Sequence, residues 1–172
     1  MKRVYLIVDC SGSITSDDTA QIGTINDLIR DVIEELETEG ANDIRIVCYA
    51  NGAKMYWQSS EKTGFLDITE NKFGGRSNLG KAYELIRQDI ENDSVELQDC
   101  ALILLSDGEA TDNYKKELLR LDPKKKAYRV ALSLGSQHIT TEKHAFNDEL
   151  SFSNGIIDRD DFIEKIVEFI SK

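Results

Sequence analysis

Hydrophobic residues occur along the chain in short runs that end abruptly at polar residues. Three runs are almost wholly apolar and have the length of a strand, at residues 4–8, 101–105 and 129–134. Continuous runs of this kind are typical of central parallel strands that are covered on both faces. Residues 44–50 alternate more clearly, and Asn51-Gly52 then forms a hairpin-turn sequence that leads into residues 54–57. We therefore predict that this last strand is antiparallel and lies at the edge of the sheet.

Between the predicted strands, apolar residues recur at the spacing of helices. This spacing predicts a helix at about 17–37, with Ser16 as its cap and Gly40 as its stop signal. Further helices are predicted at about 79–91, 113–121, 141–149 and 162–170. Strands that alternate with helices indicate right-handed crossovers and an open α/β sheet. Sites in such sheets lie beyond the carboxyl ends of the strands.

The composition is that of one globular domain with an acidic surface. The chain has 172 residues, a length typical of one domain, so we assign residues 1–172 to a single domain. Asp and Glu number 32 against 21 Lys and Arg, and the formal net charge is −11. This charge disfavours nucleic acid and anionic membranes as partners. A site for an acidic partner needs a local positive charge, which a bound cation can supply.

Three features of the sequence predict a cytoplasmic protein. The three cysteines are an odd number, lie in or beside apolar stretches and are expected to be buried, reduced thiols: Cys10, Cys48 and Cys100. Only five consecutive apolar residues precede Asp9, which is too short for the core of a signal peptide. No stretch approaches the roughly 20 apolar residues of a membrane span.

Residues with side-chain oxygens are concentrated in three loops. The first predicted strand ends in Asp9-Cys10-Ser11-Gly12-Ser13, and the strand at 101–105 ends in Ser106-Asp107-Gly108. The third loop, residues 74–80, has the sequence Gly-Gly-Arg-Ser-Asn-Leu-Gly and opens the second helix. If the two strands are neighbours in the sheet, the loops meet and offer two carboxylates and three hydroxyls, from Asp9, Asp107, Ser11, Ser13 and Ser77.

Carboxylates and hydroxyls in this combination favour a hard divalent cation. Mg²⁺ prefers oxygen ligands in octahedral geometry, and Mn²⁺ and Ca²⁺ also bind oxygen-rich sites. The sequence contains no cluster of His or Cys, which argues against zinc. If the hydroxyls are direct ligands and the carboxylates act mostly through water, the metal stays electron-poor. It can then accept a carboxylate from another molecule.

Together, the three loops resemble the metal-ion-dependent adhesion site (MIDAS) of von Willebrand factor type A (VWA) domains. The resemblance spans essentially the whole chain and is carried by residues 9–13, by residues 74–80 and by Asp107-Gly108. Within that family, the Asp-Gly-x-x-Thr-Asp pattern at residues 107–112 is similar to stand-alone cytosolic bacterial members. The TerY-like proteins of tellurium-resistance clusters are examples.

The resemblance implies a fold, a metal site and a function. The fold is a three-layer, doubly wound, Rossmann-like α/β fold, whose mostly parallel six-stranded sheet has one antiparallel edge strand. The function is a metal-dependent protein–protein interaction module without catalysis, in a bacterial stress or tellurium-resistance type of complex. A partner Asp or Glu carboxylate completes the coordination of the cation. Ser77 stands where the family usually has threonine, and the metal is held by Asp9, Ser11, Ser13, Ser77 and Asp107.

Two other functions remain open from the residues alone. An aspartate after the first strand, together with Mg²⁺, also describes haloacid-dehalogenase-type phosphatases, so the first alternative is a phosphatase-like hydrolase that uses Asp9. Those enzymes need a second carboxylate two residues later, where this chain has Ser11. The second alternative is a structural scaffold with a vestigial metal site.

A basic segment lies outside the three loops. Lys124-Lys125-Lys126, with Lys115 and Lys116 nearby, forms either an ordinary solvated surface or a docking patch. The pattern of charges favours the solvated surface.

Overall fold

The computed structural model describes residues 2–12, 19–41, 43–60, 75–106, 110–133, 148–151, 164 and 166–168. Within these ranges the strands are β1 (Arg3–Asp9), β2 (Asp43–Tyr49), β3 (Ala53–Gln58), β4 (Cys100–Ser106), β5 (Tyr128–Ser133) and β6 (Asp148–Ser151). The helices are α1 (Thr19–Thr38), α2 (Leu79–Asp93) and α3 (Tyr114–Leu121), and a short 3₁₀ turn at Leu97–Asp99 precedes β4. Residues 164 and 166–168 are also helical.

The strands form one six-stranded sheet in the order β3-β2-β1-β4-β5-β6. Only β3 is antiparallel to its neighbour, and it lies at the edge, beyond the turn at Asn51-Gly52. The predicted mixed sheet with one antiparallel edge strand is therefore confirmed. β1 lies between β2 and β4 and is parallel to both, with Asp9 opposite Tyr49 and Val8 opposite Leu105. The two strands that carry the candidate aspartates are thus neighbours, as the proposed convergence of loops requires.

The sheet lies between two helical layers, as the unbroken apolar strands predict. Alternate side chains of a strand point to opposite faces. On one face, residues of β1 pack with α1 in a cluster that includes Val4, Leu6, Val8, Ile25, Ile29 and Leu36. On the other face, they pack with α2 and α3 in a cluster that includes Tyr5, Ile7, Tyr83, Ile86 and Leu118. The carboxyl ends of β1, β2 and β4 remain between these layers as the edge that carries the candidate site.

α1 ends at Thr38, and the predicted stop signal, Gly40, follows two residues later. Gly40 has φ +88, a backbone conformation that a residue without a side chain adopts readily. The N–H of Ala41 donates to the carbonyl of Leu36 at 2.8 Å and satisfies one of the last carbonyls of the helix. The predicted cap, Ser16, lies outside the described residues.

The prediction of a helix at 141–149 is wrong at its carboxyl end. Asp148–Ser151 forms β6, which is parallel to β5 and pairs Asp148 with Val130. A four-residue strand with Leu150 as its one apolar residue has no hydrophobic periodicity, so the pairing with β5 decides its conformation. Residues 141–147 lie outside the described residues.

The cysteines agree with the sequence analysis. Cys10, Cys48 and Cys100 are buried free thiols. Among the described residues, no helix has the length and apolar character that a membrane span requires.

A network of ion pairs closes the amino-terminal edge of the sheet. Arg3 is only 5% exposed, although it is charged. Its guanidinium donates to Asp43 at 2.6 Å, to Asp93 at 2.9 Å and to Asp89 at 3.4 Å. Arg45 donates to the same three carboxylates, so two cations share three anions. The network joins β1 and β2 to the carboxyl end of α2.

This network makes stability depend on pH through Asp93. The hydrogen bonds from Arg45 and Arg3 lower the pKa of Asp93 below its ordinary value of 3.8. A carboxyl with a lowered folded-state pKa stabilises the protein above its ordinary pKa, and this contribution is lost as the pH falls through the folded value. We expect Asp93→Asn to destabilise the protein at neutral pH, by less than about 1 kcal/mol because Asp93 is partly exposed.

Urea unfolding at a series of pH values checks this expectation. The difference between wild type and Asp93→Asn should shrink as the pH falls below 3.8. A difference that stays constant down to that pH contradicts the assignment.

Candidate metal centre

Asp9 is buried at the carboxyl end of β1 and accepts four hydrogen bonds. Its Oδ2 accepts from the hydroxyls of Ser106 at 2.8 Å, Ser77 at 2.9 Å and Tyr49 at 3.0 Å. Its Oδ1 accepts from the backbone N–H of Ser11 at 2.9 Å. The donors come from β2, from β4 and from the loops before α2 and after β1. Four segments of the chain therefore converge on this carboxylate.

Ser77 reaches Asp9 because its loop lies across the ends of β1 and β2. The N–H of Gly12 donates to the carbonyl of Gly75 at 3.1 Å, and the N–H of Asn78 donates to the carbonyl of Ala50 at 3.0 Å. Gly75 has φ +96, and a Cβ on it would lie 2.3 Å from the side chain of Asn51. A glycine is therefore required here, both by the backbone conformation and by the close approach of the hairpin.

The hairpin between β2 and β3 holds one side of the Ser77 loop. The side-chain carbonyl of Asn51 accepts from the N–H of Arg76 at 2.9 Å. The amide of Asn78 donates to the carbonyl of Asn51 at 3.0 Å. The Asn-Gly turn thus does more than reverse the chain, because its first residue supports the loop that carries the candidate hydroxyl ligand.

The loop after β4 holds the other side. The N–H of Thr111 donates to the carbonyl of Ser77 at 2.7 Å, and the Thr111 hydroxyl lies 3.1 Å from the same oxygen and 3.2 Å from Oδ1 of Asn78. Asp112 accepts from the N–H of Gly80 at 2.9 Å, in the first turn of α2. The loop that contains Asp107 is therefore bonded to the loop that contains Ser77.

Asp112 is partly buried at this junction. Burial raises the pKa of its carboxyl, and its Oδ1 is buried without a hydrogen-bond partner among the described residues. Its other oxygen accepts the otherwise unpaired N–H of Gly80, which is an N-terminal helix donor. Asp112 acts as a support for the start of α2.

Among the described residues, no cationic side chain balances the charge on Asp9. Asp9 is 1% exposed, and within the described ranges no lysine or arginine forms an ion pair with it. Burying a carboxylate is costly unless it is paired or coordinates a metal. The Ser77 hydroxyl donates a hydrogen bond to Asp9. The lone pairs of its oxygen therefore remain available to coordinate a metal. The side-chain oxygens of Asp9 and Ser77 are therefore suitable ligands for a hard divalent cation.

The structure brings three of the five predicted site residues together. Asp9 and Ser77 are in direct contact, and the Ser11 backbone is bonded to Asp9. Ser13 and Asp107 lie outside the described residues. Ser106, the residue before Asp107, contacts Asp9, so β4 delivers its carboxyl end to the same point. In the described parts of the chain, no three His, Cys, Asp or Glu side chains form a metal-ligand cluster.

Sequence analysis missed four residues that build the site. Tyr49 and Ser106 donate to Asp9, whereas Asn51 and Thr111 hold the Ser77 loop. Two of them were detectable, because Tyr49 ends the strand beside β1 and Ser106 ends β4. Asn51 and Thr111 stand in turn sequences, where their residue types are common for local reasons. No sequence signal identifies their partners in another loop.

Cys10 lies beside the site but is packed as a core residue. It is 2% exposed and belongs to the same apolar cluster as Cys48. Hydrogen bonding to Cys10 and burial raise the pKa of the Cys48 thiol well above its ordinary value. Because a nucleophilic cysteine must be accessible, the burial of Cys10 favours a structural role for it.

Comparison with known proteins identifies the family. A family model described as the von Willebrand factor type A domain matches residues 4–156. No curated protein sequence matches the chain.

Solved structures with the same fold cover 98% of this chain. A von Willebrand factor type A protein from Catenulispora acidiphila has a TM-score of 0.70 at 17% identity, with 43% of its chain covered. The manganese-loaded TRAP protein of Plasmodium vivax has a TM-score of 0.70 at 15% identity, with 73% covered. Proximal thread matrix protein 1 from the mussel byssus, with a zinc-occupied MIDAS motif, has a TM-score of 0.67 at 16% identity, with 46% covered.

At these identities, the likeness concerns the fold. This chain spans less than half the length of the mussel and Catenulispora proteins. The family assignment rests on the match to the family model, which includes the three loops and all six strands. This chain therefore belongs to the von Willebrand factor type A domain family.

Proposed function

We propose that this domain holds a divalent cation at the carboxyl edge of its sheet and uses it to bind a carboxylate of a partner protein. Ser11, Ser13 and Ser77 supply hydroxyl ligands, and Asp9 and Asp107 hold the ion partly through water. Mg²⁺ is the proposed ion, and Mn²⁺ and Ca²⁺ share its preference for oxygen. When bound, the cation supplies the positive charge that attracts a partner Asp or Glu.

The observation that supports this proposal most strongly is the environment of Asp9. A 1% exposed carboxylate accepts three hydroxyl protons and one backbone N–H, without an ion pair to any lysine or arginine of the described chain. All four donors are neutral groups, so these hydrogen bonds bring no positive charge to the carboxylate. A cation at this edge balances that charge.

The same geometry argues against a hydrolase that uses Asp9 as its nucleophile. A nucleophilic oxygen must be free to approach the substrate, but Oδ2 is surrounded by three hydroxyl donors and Oδ1 is bonded to the Ser11 N–H. The side chain two residues later is a serine, which cannot replace a carboxylic acid in proton transfer. An interaction module without catalysis fits these contacts better.

The finer assignment rests on sequence. The Asp-Gly-x-x-Thr-Asp pattern of residues 107–112 supports a place among the TerY-like cytoplasmic members, and so a role in a bacterial stress or tellurium-resistance type of complex. Thr111 and Asp112 of this pattern hold the Ser77 loop and the start of α2. We treat residues 1–172 as one domain in this proposal.

Titration with MgCl₂ and with MnCl₂ tests the metal site. Isothermal calorimetry should show one binding event in the wild type, and the free energy of unfolding should rise with metal concentration. Asp9→Asn keeps the size of the side chain and removes its charge, so metal binding should be lost. Glu34→Gln on the exposed face of α1 removes the same charge far from the site and should bind metal like the wild type. Equal metal affinities for all three proteins contradict the proposal.

Acetate tests the step at which a partner carboxylate completes the coordination. Because coupling between two ligands is reciprocal, acetate should increase the apparent Mn²⁺ affinity of the wild type if it enters the coordination sphere. Chloride at the same ionic strength is the matched control. A metal affinity that responds equally to both anions contradicts recognition of a carboxylate.

Thr111 is expected to control metal affinity without touching the metal. Thr111→Val removes the hydroxyl that contacts Ser77 and Asn78, which weakens the support on this side of the Ser77 loop although the Thr111 N–H still donates to the Ser77 carbonyl. We expect about ten-fold weaker Mg²⁺ binding, the lower end of the effects of outer-shell changes, and about 1 kcal/mol lower stability. Thr111→Ser keeps the hydroxyl and should restore both values. Calorimetry and urea unfolding provide the two measurements, and a Thr111→Val variant with wild-type Mg²⁺ affinity contradicts this role.

A further inference from the structure

A second charged surface lies at the opposite end of the sheet from the metal site. α3 leads into a turn at residues 122–127, and β5 begins directly after this turn, at Tyr128. Because β5 is parallel to β1 and β4, its start lies at the amino-terminal edge. We define the basic turn surface as Lys116, Leu119, Lys124, Lys125 and Lys126, which are all exposed.

This surface concentrates positive charge on an acidic protein. Residues 114–129 contain seven Lys or Arg and two Asp or Glu, so their net charge is +5. The whole chain has a net charge of −11, which leaves −16 for the remaining residues. Among the described residues, no acidic side chain forms an ion pair with any lysine of the basic turn surface.

Hydrogen bonds to Asp122 hold the backbone of this turn in place. Asp122 is 1% exposed, and its carboxylate accepts from the N–H of Lys126 at 2.7 Å and from the N–H of Ala127 at 3.0 Å. The N–H of Asp122 donates to the carbonyl of Leu118 at 2.8 Å, which fastens the turn to α3. The three lysines therefore project from a fixed backbone.

Lys125 occupies a position where glycine is the easier residue. Its φ is +52, in the left-handed region that costs a residue with a side chain roughly 1–2 kcal/mol. Strain of this kind is often found where a side chain has a function. A lysine at this position places its charge at the tip of the turn, between two other lysines.

An apolar contact is available beside these charges. Leu119 is 61% exposed and is the one large hydrophobic side chain exposed in the described parts of the chain. It lies three residues after Lys116, on the same face of α3. An exposed leucine beside a lysine on one helix face suits a segment that combines carboxylates with an apolar residue.

We propose that the basic turn surface binds an acidic segment of a partner protein, one that carries Asp or Glu residues around an apolar side chain. A short segment contacts only this surface, and charges beyond about 8 Å are screened at physiological salt. Nucleic acid fits less well, because its regularly spaced phosphates extend past the surface onto the acidic remainder of the protein. That remainder also repels an acidic segment and so directs it to this one surface.

The inference is independent of the metal site. The basic turn surface and the metal site lie at opposite edges of the sheet, so a binding test in EDTA leaves only the basic surface active. A domain with both sites can hold two acidic groups at once.

Fluorescence anisotropy with a labelled glutamate-rich peptide that contains one central leucine tests the proposal. In EDTA and low salt, the wild type should bind the peptide, and added NaCl should weaken the binding. Lys125→Gly removes the charge and suits the left-handed backbone, so the protein should stay folded while its affinity falls about ten-fold. Lys54→Glu on β3 changes an exposed lysine elsewhere and is the control, with affinity expected to remain within two-fold, roughly, of the wild type.

Four outcomes overturn the proposal. The first is absence of binding, and the second is equal affinity of Lys125→Gly and wild type for the peptide. The third is tighter binding of a single-stranded oligonucleotide than of the peptide, which assigns the surface to nucleic acid. The fourth is dimerisation, seen in sedimentation velocity and abolished by Lys125→Gly, which assigns the surface to a second copy of this chain.

Discussion

Ser77→Ala should lose most of the stabilisation that Mg²⁺ gives to the wild-type domain. The variant lacks a proposed direct ligand and one of the three hydroxyls that donate to Asp9. We expect the Mg²⁺ affinity to fall at least about ten-fold, which corresponds to about 1.4 kcal/mol less binding free energy. Calorimetric titration and urea unfolding, with and without Mg²⁺, measure the two effects separately.

Ser77→Thr is the matched variant for this prediction. It keeps the hydroxyl and adds a methyl group, and threonine is the residue that the VWA resemblance places at this position. We expect Ser77→Thr to retain metal binding within a few-fold, because the ligand atom is unchanged. If Ser77→Ala binds Mg²⁺ as tightly as Ser77→Thr, the Ser77 hydroxyl is not a ligand.

Arg3→Met should be the most destabilising of the substitutions considered. The side chain is nearly buried, and its loss leaves Asp43, Asp89 and Asp93 with Arg45 as their remaining cation in the network. Removing one partner from a buried ion-pair network leaves charge uncompensated in the interior, which costs roughly 3–5 kcal/mol. We expect a loss near the lower end, about 3 kcal/mol, because Asp93 reaches solvent.

Arg30→Met provides the control for burial. Arg30 pairs with Asp27 at 2.8 Å, a distance as short as those in the buried network, but both side chains are exposed on α1. Such surface pairs contribute at most about 1 kcal/mol. Urea unfolding of both variants therefore separates the effect of burial from that of the ion pair. Equal losses of stability in the two variants contradict the structural role assigned to Arg3.

The sequence predicted the sheet more fully than it predicted the site. Residues 4–8 and 101–105 were recognised as strands because burial on both faces requires an unbroken apolar run. β6 was not recognised, because a short edge strand is buried too little to need such a pattern and is defined by its pairing with β5. Asp9 and Ser77 were recognised because each stands beside a strand end or a helix start. Their mutual contact depends on the Ser77 loop, which lies across the neighbouring ends of β1 and β2.

By itself, the sequence determined that this chain builds an open α/β sheet domain with oxygen-bearing loops and an acidic surface. These properties follow from local order, since the apolar runs, helical spacing and turn residues act over a few positions. Only the tertiary structure decided which hydroxyls reach Asp9, that Asn51 and Thr111 hold the Ser77 loop, and that Asp122 fixes the lysines of the turn. Hydrogen bonds between distant loops depend on distance and direction in three dimensions, and neither is encoded in the spacing of residues along the chain.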